Sequence, residues 1–313
     1  MRLFLQLRFN SKEVTMQHPD YDSPNALKEF MEQSGLAMQK KFGQNFMVTR
    51  SAREKIVSTL GAQKGNCVWE VGPGLGSMTE LLLKTGAQVT AFEIDKGFIQ
   101  LLPQFFENEN KTGTFTLVQG DVLKTWHKEA LQLNKNNQVF LFGNLPYNIA
   151  ATFIADTITK GFVFDRCVFT VQKEVALRMA AAPSTPNYSA FSVLCQKEYT
   201  VKNFMELPPA AFWPRPQVAS QAVLLTKREP ALTCKDPAFF VRIVHALFAS
   251  RRKTLSNNIK AILPSWVDAD AIFNSCGIAK TQRAENLTVE QFLQLSETAQ
   301  SAMMAVGGKE SGN

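Results

Sequence analysis

The residues with the clearest chemical potential follow an apolar run at positions 139–142, which has the length and composition of a buried parallel strand. The run leads into Asn144-Leu-Pro-Tyr147, at the strand end where open α/β sheets bind ligands. The side-chain carbonyl of Asn144 and the backbone carbonyl of Leu145 can accept hydrogen bonds from an exocyclic amine, while the Tyr147 ring can stack on a planar base. A common turn with a packed tyrosine explains these residues equally well, so the rest of the chain must decide.

A glycine-rich turn follows another predicted strand, Cys67–Val71, and leads into a helix that begins near Met78. The turn reads Glu70-Val-Gly-Pro-Gly-Leu-Gly76, and its glycines let a ligand approach the backbone N–H groups closely. A dinucleotide fingerprint would require glycine where this chain has Ser77. An acid ahead of such a turn is instead typical of S-adenosylmethionine (SAM) sites, with a plain tight turn as the alternative.

Two further predicted strands also end in acids. Residues 88–95 end in Glu93 and Asp95, where an acid meets ribose hydroxyls in nucleotide-binding folds, and we expect one of the two to be merely solvated. Residues 115–121 end in Asp121, which can accept a hydrogen bond from an adenine amine. Acids after strands are common, but this series predicts a doubly wound parallel sheet with SAM across its carboxyl edge.

The composition limits the classes of protein to which the chain can belong. Its 313 residues are 45% hydrophobic and 19% charged, which describes a globular protein with room for a large domain and a small one. The net charge of +7 favours a polyanionic partner. No apolar run approaches the ~18 residues of a membrane span, and the five cysteines lack the spacing of a metal site or disulfide framework. We expect a cytoplasmic monomer with neither a metal nor a membrane partner.

The segment at 208–218 is too rich in proline for a helix or a central strand. We expect a rigid loop that presents Phe212, Trp213 and Arg215, either as a hydrophobic plug or as a second stacking surface. The runs at 189–201 and 221–226 look β-like and predict an antiparallel pair that closes the sheet.

A basic segment lies in the helical part of the chain that begins at Asp236. Residues 239–263 contain no acid, and Arg251, Arg252 and Lys253 make a concentrated positive spot. Basic helices without acids favour contacts with phosphates, although a charge cluster is more often a solvated face.

The domain organisation follows from these patterns. We expect residues 1 to about 20 to be poorly ordered, those before Met16 to be dispensable, and Met16 to be a candidate initiator, because no apolar period links this start to a core. The predicted divisions are an N-terminal extension at 1–35 (with 1–15 disordered), a methyltransferase domain at 36–230, a helical RNA-binding domain at 231–305 and a disordered tail at 306–313.

Taken together, the motifs resemble those of the KsgA-type small-subunit ribosomal RNA adenine dimethyltransferases, over about residues 40–292. The matching motifs are Lys41-Phe-Gly-Gln-Asn-Phe46, Glu70-Val-Gly-Pro-Gly74, Asn144-Leu-Pro-Tyr-Asn-Ile149, Gln172-Lys-Glu-Val175, Pro214-Arg-Pro216 and Arg251-Arg-Lys-Thr-Leu255. The resemblance implies a Rossmann-like SAM-dependent domain followed by a small all-helical domain. It also implies dimethylation of two adjacent adenines in the 3′-terminal hairpin loop of 16S RNA, late in the biogenesis of the 30S subunit.

The resemblance also assigns roles to individual residues. Asn144 and Leu145 would hold the target amine, with Tyr147 and Phe212 on the two faces of the base, and Arg251, Arg252 and Lys253 would contact RNA. Two positions depart from the family pattern: Met47 replaces a usual leucine, and Ala219 replaces a frequent aspartate. The residues that would contact SAM are Asn45, Met47, Gly72, Glu93, Asp121 and Asn144.

Two rival functions remain open at this stage. A large-subunit RNA adenine methyltransferase of the erythromycin-resistance type shares the fold, but the Arg251–Leu255 and Pro214–Pro216 motifs weigh against it. A non-catalytic assembly or transcription factor would keep only nucleic-acid binding, and the intact set of cofactor residues weighs against that.

Overall fold

A computed structural model describes residues 16–39, 43–133, 138–145 and 147–307, with the backbone alone given for Tyr147, Asn148, Val306 and Gly307. Residues 1–15 and 308–313, for which the sequence predicts disorder, lie outside these ranges, and so do residues 40–42 of the first matching motif.

Strands and helices alternate along most of the described chain. The strands are β1 Phe46–Met47, β2 Cys67–Val71, β3 Gln88–Glu93, β4 Phe115–Gln119, β5 Val139–Asn144, β6 Arg166–Gln172, β7 Tyr199–Leu207, β8 Phe212–Trp213 and β9 Ser220–Lys227. The α-helices are α1 Pro24–Gln33, α2 Arg50–Leu60, α3 Ser77–Lys84, α4 Lys96–Phe105, α5 Glu107–Thr112, α6 Val122–Gln132, α7 Tyr147–Thr159, α8 Lys173–Met179, α9 Ala190–Glu198, α10 Pro237–Phe248, α11 Leu255–Ile259, α12 Ala269–Ser275 and α13 Val289–Gly307.

Seven of these strands form one sheet in the order β4-β3-β2-β5-β6-β9-β7. The first five in this order are parallel, whereas β9 is antiparallel to both of its neighbours. Every residue of β2 is buried, as expected for a parallel strand covered by helices on both faces. The predicted α/β fold with a doubly wound sheet is confirmed, and the carboxyl ends of the parallel strands meet at one edge.

Helices cover the two faces of the sheet, and alternate strand residues point to opposite layers. On β2, Val68 belongs to the core shared with α1, α2, α3 and α4, whereas Trp69 belongs to the core on the other face. That second core continues without a break from α7 and α9 into α10 to α13, through residues such as Phe240 and Phe292. From Asp236 to residue 307 the regular elements of the described chain are all helices, as predicted, while the domain boundaries stay predictions.

The predicted strand over 189–201 is wrong, because most of this run is the helix α9. Ser189 and Ser192 form a reciprocal capping box at its start, and seven of its nine residues are buried. A helix that is buried all round shows no alternation of polar and apolar residues at a period of 3.6, so its apolar residues look like a strand. The antiparallel closing pair does exist, but its first member is β7 at 199–207.

The start of the described chain is docked on the sheet domain. The Tyr21 hydroxyl donates to the Leu75 carbonyl at 2.7 Å, and the His18 ring stacks on Phe105 with centroids 4.5 Å apart. The expectation of poor order up to about residue 20 is therefore wrong for residues 16–20.

A buried arginine ties this start to the rest of the fold. Arg53, on α2, is 5% exposed. Its guanidinium donates to the backbone carbonyls of Tyr21 (3.0 Å) and Met47 (2.8 Å) and to the Asp22 carboxylate (2.5 Å). These bonds fix the N-terminal segment against the residues around β1.

We expect Arg53→Met to lower the free energy of unfolding by about 2–4 kcal/mol, because two buried carbonyls lose their donor. Urea unfolding measures the change. Arg50→Met is the matched control: Arg50 is 70% exposed, and its ion pair within the described residues is with Glu54, one turn away on the same helix, so its loss should lower the free energy of unfolding far less than the loss of Arg53. Equal, small effects of the two substitutions would contradict the bracing role of Arg53.

Candidate active site

A cleft of about 350 Å³ opens at the carboxyl edge of the parallel strands. Its volume lies within the range of small-molecule sites. The ends of β2, β3 and β5 form its floor, and the loop before β1 covers one side. The polar residues and glycines that line it are Gly43, Gln44, Asn45, Glu70, Gly72, Gly74, Ser77, Glu93, Gly120, Asp121 and Asn144.

The glycine-rich turn after β2 forms one wall. Gly72 has φ +74°, a left-handed conformation, and a Cβ there would meet nothing within 4 Å. The space beside the Gly72 backbone is therefore open, and Gly72 lines the cleft. At Gly74 (φ +56°) a Cβ would lie only 2.9 Å from the Phe46 ring, so glycine is also needed for packing.

Glu93 ends β3 and is 5% exposed. Its carboxylate accepts hydrogen bonds from the backbone N–H groups of Ile94 and Asp95, both at 2.7 Å, and of Gly74 at 3.2 Å. Burial raises the pKa of Glu93 and these three bonds oppose the rise. Oε1 accepts both of the 2.7 Å bonds, so Oε2, which accepts only from Gly74, is the oxygen that keeps a further lone pair with which to accept a hydrogen bond from a hydroxyl.

Asp95 does not line the cleft, and the expectation that one of these two acids is merely solvated is wrong. Asp95 is 4% exposed. It caps α4 through the Gly97 N–H and accepts a hydrogen bond from the Gln44 side chain, both at 2.8 Å. It therefore anchors the loop before β1, while Glu93 faces the cleft.

Glu70, the acid ahead of the glycine turn, is almost completely buried at 1% exposure. The Thr79 hydroxyl donates to Oε2 at 2.6 Å, whereas Oε1 has no hydrogen-bond partner. Burial raises the pKa of Glu70 from 4.5 to about 8, helped by the nearby charge of Glu93 and opposed by the bond from Thr79. Oε1 is thus a buried polar atom beside the cleft that a ligand or a water can satisfy.

Asp121 follows β4 and caps α6, where its Oδ1 accepts the Leu123 N–H at 3.0 Å. On the opposite side, Asn45 and Met47 belong to the segment around β1, which pairs with β8. Sequence reasoning missed this short pairing because two-residue strands carry no periodic signal. Asn45 and Met47 both line the cleft.

Asn144 is held in place by two neighbours. Its Nδ2 donates to the Asn45 carbonyl at 2.9 Å, and its Oδ1 accepts the Thr170 hydroxyl at 2.6 Å. Sequence reasoning missed Thr170, although aligning the ends of β5 and β6 would have found it, because these two residues are register partners.

The other predicted base-binding residues fall in different places. Leu145 is 8% exposed and lines the cleft. Tyr147 begins α7, and its side chain lies outside the part of the chain that is described. Phe212 is buried at 3% exposure in the core and is not part of the cleft wall, so its stacking role stays a prediction that requires the ring to become exposed.

The lining of the cleft suits SAM. Among the described residues that line it, Glu70, Glu93 and Asp121 are acidic and none is basic. SAM carries positive charges on its sulfonium and ammonium groups, which acids can balance. Its ribose hydroxyls and adenine amine can donate hydrogen bonds to acids and backbone carbonyls. The orphaned Oε1 of Glu70 and the open space beside Gly72 agree with a ligand of this kind.

The three residues of the basic spot at 251–253 differ in whether they contact other residues of the protein. The Arg251 guanidinium donates to the Pro186 carbonyl and to the Glu285 carboxylate, both at 3.0 Å. Arg252 and Lys253 are exposed, and neither forms an ion pair within the described chain.

Two further findings concern metals and membranes. Within the described ranges, no group of three or more His, Cys, Asp or Glu residues could hold a metal ion. No helix in the same ranges has the length and apolar character needed to cross a membrane.

The burial of Glu70 predicts a pH dependence of stability. The unfolded chain loses this proton near pH 4.5, whereas the folded protein keeps it up to about pH 8. The folded state therefore binds more protons in this window, and the free energy of unfolding falls as the pH rises through it. We expect Glu70→Gln, which keeps an acceptor for Thr79, to flatten this fall in urea unfolding, with the exposed Glu29→Gln as control. Equal slopes for the wild type and Glu70→Gln would show that Glu70 does not titrate in this way.

Comparison with known proteins agrees with this site. A family model described as ribosomal RNA adenine dimethylase matches residues 35–301. The chain is 49% identical over 286 residues to the ribosomal RNA small subunit methyltransferase A of Treponema denticola, covering 89% of this chain and 95% of the relative. It is 43% identical over 285 residues to the protein of the same name from Treponema pallidum, covering 90% of this chain and 97% of that relative.

Solved structures support the fold. A dimethyladenosine transferase from Plasmodium falciparum matches with a TM-score of 0.65 and 21% identity, over 82% of this chain and 97% of that one. The 23S rRNA methyltransferase ErmE matches with a TM-score of 0.56 and 20% identity, over 80% of this chain and 98% of that one. The family model and the two Treponema relatives decide the family: this chain belongs to the ribosomal RNA adenine dimethylases.

Proposed function

We propose that this protein transfers methyl groups from SAM to the N6 amines of two adjacent adenines in the 3′-terminal hairpin loop of small-subunit (16S) ribosomal RNA. It acts in the cytoplasm, as a monomer, on a late precursor of the 30S subunit. The names of the Treponema relatives support the small subunit as the substrate. The chemistry is supported by the site, and above all by one observation, the fixed carboxamide of Asn144 at the wall of the cleft.

The target amine is a poor nucleophile because its lone pair is delocalised into the adenine ring. Asn144 Oδ1 and the Leu145 carbonyl each accept a hydrogen bond from one N6–H group. This arrangement favours a tetrahedral nitrogen with its lone pair free to react. Positioning and fixed acceptors of this kind supply most of the catalysis, so no activated serine, cysteine or metal is required. Tyr147 and Phe212 hold the base by stacking once it has left its loop.

SAM supplies, when bound, an electrophilic methyl group on a sulfonium sulfur. Glu93 Oε2 would accept a hydrogen bond from the ribose, Asp121 would accept one from the adenine amine of the cofactor, and the backbone at Gly72 would allow its close approach. Asn45, Met47 and Asn144 would complete the set of residues that hold it, and all three line the same cleft.

The small-subunit substrate can be tested against its nearest rival. We expect the label from methyl-labelled SAM to enter unmethylated small subunits, and primer extension to map it to two adjacent adenines near the 3′ end. Label on large-subunit RNA would favour an enzyme of the erythromycin-resistance type. Absence of both label and SAM binding would favour a non-catalytic RNA-binding factor.

Asn144→Ala should leave the fold intact and slow methyl transfer by ~10²–10³-fold, because one fixed acceptor for the amine is lost. Single-turnover rates on unmethylated small subunits measure the effect, and urea unfolding checks the fold. Asn274→Ala, at an exposed position on α12, should keep the wild-type rate. Activity of Asn144→Ala within a few-fold of wild type would refute the assigned role.

The contacts of Arg251 refine the expectation for RNA binding. Because this side chain is bound to Glu285, we expect Arg252 and Lys253 to make the phosphate contacts. The double substitution of these two residues by alanine should lower the slope of log affinity against log salt by about one unit per residue, without changing SAM affinity. Lys64→Ala with Lys160→Ala removes two exposed charges near the opposite edge of the sheet and should leave the slope unchanged. If the Arg252 and Lys253 double variant keeps the wild-type slope, this basic spot is a solvated face that does not contact phosphates.

A further inference from the structure

The hydroxyl of Thr170 donates a hydrogen bond to Asn144 Oδ1, the oxygen that accepts from the target amine in the proposed reaction. Thr170 lies on β6 in direct register with Asn144 on β5, so the two side chains leave the sheet on the same face. Its side chain is buried at 1% exposure, and its Oγ1 donates to Asn144 Oδ1 over 2.6 Å. Apart from this bond, an apolar side chain of the same shape would serve equally well in a buried strand.

The second contact of Asn144 fixes which end of the carboxamide faces Thr170. The Asn45 carbonyl can only accept a hydrogen bond, so the group 2.9 Å from it must be the NH₂ of Asn144. The oxygen then points to the Thr170 hydroxyl, which must donate. Turning the carboxamide over would set two carbonyl oxygens against each other. The pair of contacts therefore holds Oδ1 in one position with one lone pair occupied and one free.

We propose that Thr170 is a positioning residue for both methyl transfers: it holds Asn144 Oδ1 in place and keeps this oxygen hydrogen-bonded when the target amine has only one proton left. The proposal rests on the proposed function. Each transfer forms an N6–CH₃ bond while the S–CH₃ bond of SAM breaks; S-adenosylhomocysteine is the leaving group, and one N6 proton is released to water. Unmodified adenine offers two N–H groups to the two acceptors, Asn144 Oδ1 and the Leu145 carbonyl.

The second transfer is where Thr170 matters most. The monomethylated amine has one N–H for two acceptors, so one acceptor must lose its donor. With Thr170 present, Oδ1 can lose the amine and still be hydrogen-bonded, and the remaining N–H can stay on the Leu145 carbonyl. Without the hydroxyl, the same arrangement leaves a desolvated oxygen without any donor, which is costly.

The test compares Thr170→Val, which has the same shape without the hydroxyl, with Thr170→Ser, which keeps it. Single-turnover assays on unmethylated small subunits, with the modified nucleosides separated, give the two rates. For Thr170→Val we expect the first transfer to slow by about fivefold and the second by about tenfold or more, so that monomethyladenine accumulates. Thr170→Ser should restore both the rates and the product ratio.

Controls separate positioning from a general structural effect. SAM affinity by calorimetry should stay at its wild-type value in Thr170→Val, and the urea midpoint should fall by no more than the loss of one hydrogen bond explains. Thr157→Val removes another buried hydroxyl, which is 1% exposed and bonded within α7, and should not change the product ratio. Thr170→Ala provides a second variant without the hydroxyl should valine not fit.

The outcomes are distinct. If Thr170→Val and Thr170→Ala dimethylate with wild-type rates and product ratio, the role of Thr170 is refuted while the proposed function stands. If the wild-type protein itself modifies no small-subunit adenine, the proposed function fails and the Thr170 proposal fails with it.

Discussion

The shared register of the parallel strands is the constraint on which the whole site depends. Five neighbouring strands run in the same direction, so their last residues reach one edge together. The glycine turn after β2, Glu93 at the end of β3 and Asn144 at the end of β5 are therefore neighbours in space although they are far apart in the chain. A shift of one residue in β5 would turn Asn144 to the opposite face of the sheet, away from Thr170 and the Asn45 carbonyl. Backbone pairing thus decides which side chains meet at the cleft.

Forming this cleft costs folding free energy, because it takes acidic side chains out of water. Glu70 and Glu93 are both nearly inaccessible to water, and burial raises the pKa of each. The fold offsets part of this cost with hydrogen bonds from Thr79 and from backbone N–H groups. A cationic cofactor would offset more of it, so the cleft is expected to be more stable when it is occupied. The bracing by Arg53 acts from outside, by holding the Met47 carbonyl and the N-terminal segment against this wall.

Sequence reasoning reached those features that a strong local pattern encodes. The buried strands and the glycine turn both follow from apolar runs and residue types close to one another in the chain. It could not reach features that depend on tertiary packing: α9 was mistaken for a strand because it is buried all round, and Asp95 is a buried anchor instead of a solvated acid. The bond from Arg251 to Glu285 was equally out of reach, because the two residues are far apart in the sequence. The burial of Phe212, by contrast, agrees with the hydrophobic plug that was one of the two expectations for the proline-rich segment.

The proposed reaction requires Asn144 to hold the target adenine at the carboxyl edge of β5. An electron cryo-microscopy structure of the protein on unmethylated small subunits, with the unreactive SAM analogue sinefungin present, would test this placement. We expect one adenine of the 3′-terminal hairpin loop to be turned out of its stack, with N6 about 3 Å from Asn144 Oδ1 and the analogue between the glycine turn and Glu93. An adenine bound elsewhere, or a loop whose bases all remain stacked while the cleft holds the analogue, would contradict it.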